Sequence, residues 1–204
     1  MKRIQGVCAG ILLLVTSSLA GAGEARQAPA RRIAVADLQA PAAAPWLGAA
    51  VADAVIGKLA GAEGLILLER HEVALLLARA GVKADAQAIP DTLADTPAGK
   101  LLGCNALVVG SVQVNGPLDA EATPVRVTAK LVGATSGAVP QAGSVVLDGT
   151  VGMLFDLETR LADAVGAGLG CEVPRMQLEA REEVSLAAHQ LLSEGMVLLA
   201  EGEA

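Results

Sequence analysis

Aromatic side chains are almost missing from this 204-residue chain, which has one Trp (Trp46), one Phe (Phe155) and no Tyr. Two rings cannot build the stacking platform that single-stranded nucleic acid requires. Basic residues are also in deficit, with 15 Lys and Arg against 22 Asp and Glu and a formal charge of −7. That balance opposes phosphate backbones, so nucleic acid is excluded as a partner. Histidine is limited to His71 and His189, and neither sits in a local carboxylate constellation suited to hydrolase chemistry. No run is long enough to span a bilayer, the longest apolar stretch being residues 7–15.

Catalytic motifs are missing too. Gly99-Lys100 is followed by Leu101, which leaves no hydroxyl for magnesium in a phosphate-binding loop. The alternating glycines at 166–170 lie where a helix ends, and a phosphate cradle needs a helix beginning. Glu69, His71 and Glu72 share one turn, but with no second His four residues on they read as a solvated helix start. Ser111 and Ser144 lack the Gly-x-Ser-x-Gly context of a nucleophile elbow. The sequence assigns no catalytic, cofactor-binding or metal-ligating residue, and the chain reads as non-enzymatic.

What is present is apolar and small. The composition is 53% hydrophobic with mean hydropathy +0.52, which excludes wholesale disorder. Ala makes up about a fifth of the residues, so large core side chains are fewer than the percentage suggests. Lys2 and Arg3, the apolar stretch 7–15 and the small residues Ala20 and Ala22 form a secretory signal peptide over 1–22, with cleavage expected after Ala22. The mature chain then has no transmembrane span. Cys8 leaves with that peptide, and Gln5-Gly6-Val7 before it is not a lipoprotein pattern. Cys104 and Cys171 remain, and in an oxidising compartment they either form one disulfide or stay as two buried thiols.

Residues 23–32 read as a flexible leader. Apolar runs at 33–38 and 65–68 predict buried strands, with a helix between them on the stripe Leu47, Val51, Val55 and Leu59. A second helix runs from about 71 to 80 and stops at Gly81. A short helix at about 97–103 leads to a strand over 106–114. Clean alternation over 125–132 predicts a half-buried antiparallel strand. Thr135-Ser136-Gly137 is a turn, and a last strand lies within 143–151. Leu154, Leu157, Leu161, Val165 and Leu169 mark a helix with Asp156 and Glu158 complementing its dipole in the first turn. A further helix covers about 177–200. The expected fold is α/β (α+β): a mixed sheet built from a βαβ unit and an antiparallel meander, helices packed on it, and an extra C-terminal helix.

Six segments in this order, IAVADL at 33–38, LGAAVADAVIGKLA at 47–60, LILLERHEVALLLARAG at 65–81, AGKLLGCNALVVGSVQV at 98–114, VRVTAKLVGATSGAV at 125–139 and LFDLETRLADAV at 154–165, resemble the CsgG-like family of bacterial cell-envelope proteins. Glu69 and Arg70 match that family's Glu-Arg signature, and Cys104 replaces its usual Ala. The resemblance implies an exported domain over 33–172, similar to the N-terminal domain of TolB, that works by assembly and uses no cofactor. It implies that Glu69 and Arg70 are structural and that the partners are envelope proteins or further copies of the chain, in the periplasm or at the outer membrane. A membrane barrel of the kind some relatives build needs aromatic girdles that Trp46 and Phe155 cannot supply. Residues 175–204 resemble the first helix of a tetratricopeptide (TPR) repeat, which needs neighbours to cover its apolar face. The competing expectation is a periplasmic small-molecule or glycan-binding module, using the crevice at the carboxyl ends of the parallel strands.

Overall fold

The computed structural model describes residues 30–83, 89–90, 92–94, 96–135 and 143–174, together with Ala188, Gln190, Leu191, Leu192 and Gly195. The signal peptide with its cleavage site, most of the leader, the Ser136-Gly137 turn and most of the C-terminal helix lie outside these residues. Ala188, Gln190, Leu191, Leu192 and Gly195 are helical.

Five strands form one mixed sheet: β1 (Arg31–Val35), β2 (Leu65–Leu67), β3 (Ala106–Val114), β4 (Pro124–Gly133) and β5 (Gly143–Thr150), in the order β2-β1-β3-β4-β5. β1 is parallel to both β2 and β3, while β3, β4 and β5 form the antiparallel meander. The helices are α1 (Trp46–Leu59), α2 (Arg70–Ala80), α3 (Pro97–Leu102) and α4 (Leu154–Leu169), the last preceded by a single 3-10 turn at Val151–Met153. The fold class is that expected from the sequence, and so is the order of elements.

Alternation along the strands divides the core in two. Ile33, Val35, Val108, Val112, Val125, Val127 and Leu131 face α1 and α4, where they meet Leu47, Val51, Leu157 and Leu161. Ala34, Ala36, Leu107, Val109 and Val132 face the other way, beneath Val73 and Leu77 of α2 and Leu102 of α3. The second cover stops short: Arg126, Thr128 and Lys130 of β4 stand opposite Asp148, Val146 and Ser144 of β5, on a face that is largely polar.

Boundaries follow local chemistry. β1 begins two residues before the expected strand because Arg31 pairs with Leu65 and its guanidinium donates to the Leu169 carbonyl. Arg31 and Arg32 therefore belong to the sheet and not to the leader. Thr96 caps α3, its hydroxyl accepting from the Gly99 N–H at 3.0 Å, and α2 and α4 end on the left-handed glycines Gly81 and Gly170. The described chain starts beside Gly64, whose carbonyl accepts from the Arg31 N–H at 2.8 Å. It leaves at Pro174, packed against Gly61, at the same end of the sheet.

α1 lies backbone to backbone against the chain that follows β1. A Cβ on Gly48 would collide with the Leu38 carbonyl, and one on Gly110 would collide with the Thr128 carbonyl of the next strand and press on Leu38. Gly48→Ala is expected to lower stability by about 2 kcal/mol, because a backbone atom is the obstacle and cannot rotate away. Gly57 lies on the same helix with nothing within 4 Å of such a Cβ. Gly57→Ala is expected to stabilise by up to about 1 kcal/mol. Urea unfolding of both variants beside the parent protein measures the contrast.

Candidate functional site

The family-signature residues fall where β2 turns into α2. Glu69 is the N-cap of α2, and its main-chain carbonyl accepts from the Val73 N–H at 3.0 Å. Arg70 opens the helix and reaches across the carboxyl ends of the parallel strands. Its Nε donates to Asp53 of α1 and a terminal nitrogen donates to Asp37, just after β1, both at 2.8 Å. The side chain is 18% exposed, against 39% and 49% for the two aspartates. Burial by itself would lower the Arg70 pKa. The hydrogen bond and charge of Asp37, and then those of Asp53, outweigh it, so the guanidinium is held above its ordinary range. One planar cation thus ties β1, α1 and α2, a task for which the forked geometry of Arg is suited. Arg70 makes its ion pairs at this strand end with the two aspartates, while Glu69 takes part through its main chain as the N-cap of α2.

Part of the crevice in which the sequence placed a small-molecule site is occupied by the chain itself. After β1 the backbone keeps running beside β3: Gln39 donates to the Gly110 carbonyl at 2.9 Å and accepts from the Val112 N–H at 2.6 Å. Leu38 is 4% exposed and packs into the α1–α4 core. Two grooves lie elsewhere. One, of about 920 Å³, is at the end of α4 and is lined by Gly61, Glu63, Asp163, Cys171, Glu172 and Pro174. The other, of about 450 Å³, runs between β5 and α4 and is lined mainly by Ala129, Leu131, Val145, Ala164, Ala167 and Gly168. Glu69, His71 and Glu72 are all exposed. Among the described residues no group of His, Cys, Asp and Glu is placed to hold a metal. No described helix is long and apolar enough to cross a membrane.

Two further groups are set by burial. Glu158, expected from the sequence to complement the helix dipole in the first turn, is only 2% exposed. It sits one position after Leu157 and three before Leu161, on the apolar stripe, so α4 carries it into the core with the leucines. Burial pushes its pKa from 4.5 to about 7, against the opposing charge of Lys58. The other group is the pair of thiols. Both are free: Cys104 is in the core beneath α2 and α3, and Cys171 packs against the core beneath α1 and α4. The sheet stands between them, so the expected disulfide option gives way to two separate thiols. Desolvation raises the Cys104 pKa to about 11 and also raises that of Cys171.

No family model matches this chain, and no curated protein matches it. Among solved structures it is similar to a PelC dodecamer from Paraburkholderia phytofirmans, at 16% identity and a TM-score of 0.39, over 68% of this chain and 86% of that one. It is also similar to the lipoprotein GNA1162 from Neisseria meningitidis, at 18% identity and a TM-score of 0.41, over 67% of this chain and 99% of that one.

Glu158 gives stability a pH dependence of defined sign. Between pH 4.5 and about 7 the folded protein keeps a proton that the unfolded chain has released, so stability falls as pH rises through this window. The loss is on the order of 3 kcal/mol and levels off above it. Subtracting the urea-derived profile of Glu158→Gln from that of the parent protein isolates this slope; a flat difference contradicts it. For the thiols, iodoacetamide at pH 8 is expected to modify half-buried Cys171 about tenfold or more faster than Cys104, which reacts only on unfolding. Peptide mass spectrometry with and without denaturant reads both sites.

Proposed function

We propose that the chain is an exported, non-enzymatic cell-envelope protein of the CsgG-like type, with a domain built on the β1–β5 sheet, from Arg31 onward, that acts by binding other envelope proteins or further copies of itself. The observation that carries this reading is positional. The described parts of the six segments on which the resemblance rests form, in order, β1, α1, β2 with α2, α3 with β3, β4, and α4. The signature Arg70 serves the join between them. Its guanidinium is engaged with Asp37 and Asp53, and Cys104 is held as a protonated thiol in the core, so both residues take structural parts.

The C-terminal residues support an interaction role. Leu191 and Leu192, both helical, are 71% and 67% exposed. Large aliphatic side chains this open on a helix are well suited to burial against a second surface, as the TPR-like reading of 175–204 requires. Light scattering of the chain from Gly23, with and without residues 175–204, tests the proposal. The full chain is expected to show a mass that grows with concentration or with added periplasmic extract, and the shortened chain to show less growth. Strict single-chain mass under all of these conditions argues against assembly.

A further inference from the structure

The two edges of the sheet differ. β2 is three residues long and flanks the parallel half. β5 is eight residues long and, among the described residues, no strand pairs with its outer side. Exposed edges of this length are usually blunted by Lys, Pro or an inward charge. β5 (Gly-Ser-Val-Val-Leu-Asp-Gly-Thr) has no Lys or Pro, and its one charge, Asp148, is matched by Arg126 of β4 through two hydrogen bonds of 2.6 and 3.2 Å.

The direction of the free backbone groups follows from the ladder. The Asn115 N–H donates to Pro124 O, and the Val151 N–H donates to Thr123 O. Even-numbered residues of β4 therefore face β3 and odd-numbered ones face β5. In the observed register Val127 is opposite Leu147 and Ala129 is opposite Val145. These are the hydrogen-bonded pairs, so the N–H and C=O groups of Ser144, Val146 and Asp148 point outward.

We propose that β5 is a self-complementary docking edge, which pairs antiparallel with β5 of a second copy about a two-fold axis at Val146. The inference rests on the assembly reading above and names its surface. In this register Val146 meets its own counterpart, joining two side chains that are 54% exposed in the single chain. Ser144 lies opposite Asp148 of the other copy, hydroxyl to carboxylate. The two Asp148 carboxylates sit four residues apart along the ladder, roughly 13 Å. A shift of one position to an axis at Leu147 brings them to adjacent positions, where like charges repel. On the opposite face Leu147 of the second copy stands beside Val145, at the groove lined by Ala164, Ala167 and Gly168. The small residues of α4 leave room there for a leucine. A two-fold contact uses the same edge on both copies, so assembly through it closes at two chains.

The test combines concentration-dependent light scattering with site-directed cross-linking. The protein is expected to move from one chain mass toward two as concentration rises. Val146→Lys, which sets two ammonium groups on the axis, is expected to stay at one at the same concentrations. In a Cys171→Ser background, Val146→Cys is expected to form a disulfide dimer under mild oxidation, since hydrogen-bonded antiparallel partners have Cα atoms about 5.5 Å apart, within disulfide range. Ser144→Cys, on the same edge but remote from its own counterpart, is expected to give about tenfold less. Single-chain mass throughout, a mass beyond two chains, undiminished dimerisation of Val146→Lys, or equal cross-linking at 144 and 146 would each overturn the proposal. If Val146→Lys still assembles but loss of 175–204 abolishes it, this edge is wrong and the broader assembly reading stands.

Discussion

Leu38 is held between two glycines, and much of the molecule depends on that fit. Gly48 lets the first turn of α1 lie against the Leu38 carbonyl, and Gly110 lets the Leu38 side chain lie against β3. Backbone against backbone is a stiffer spacing than side chain against side chain, because neither surface has a rotamer with which to yield. The fit sets the height of α1 above the sheet, and α4 packs beside α1 over the same core. It also brings Asp53 of α1 and Asp37 of the strand end within reach of one guanidinium. Arg70 thus locks a geometry that the glycines make available. Close packing of this kind suits a chain with two aromatic residues, in which core volume comes from bringing layers together and not from large side chains.

The sheet is asymmetric in its cover. Ile33–Val35 of β1 and Ala106–Gly110 of β3 are buried on both faces, as central strands with parallel partners generally are, whereas β5 and the stretch of β4 opposite it are covered on one face and largely polar on the other. The same division appears in the amino acids. β3 has buried residues at successive positions over Ala106–Gly110, while β4 alternates buried Val125, Val127, Ala129 and Leu131 with Arg126, Thr128 and Lys130. Burying β5 residues such as Val146 requires something beyond the sheet's own helices.

This contrast explains what could be read from the sequence. The strands, α1, α2 and α4 were legible because their patterns are governed by local periodicity and by glycine stops such as Gly81. The mixed sheet followed from the order of elements. The start of β1 was misplaced because Arg31 and Arg32 look like a charged leader, and only partners distant in sequence, Leu65, Asn105 and Leu169, bring them into the fold. Glu158 was legible in principle, as a carboxylate on the apolar stripe of α4. Its closeness to the helix start gave a competing explanation from the dipole. The partners of Arg70 were not legible, since Asp37 and Asp53 resemble any other exposed acids until the chain is folded. The separation of Cys104 from Cys171 could not be read either, because it depends on which face of the sheet each connection covers.

The continuous described stretch of the domain begins beside Gly64 and ends beside Gly61, at one end of the sheet, with the Arg31 guanidinium joined to the end of α4. A force between the flanking segments is therefore applied at a single pole. It would separate β1 from its neighbours one hydrogen bond after another, as a zipper opens, and would not load the whole ladder in shear. The join between Arg31 and Leu169 is the first catch in that path, and the glycine-lined seat of Leu38, at the far pole, is among the last to feel the pull.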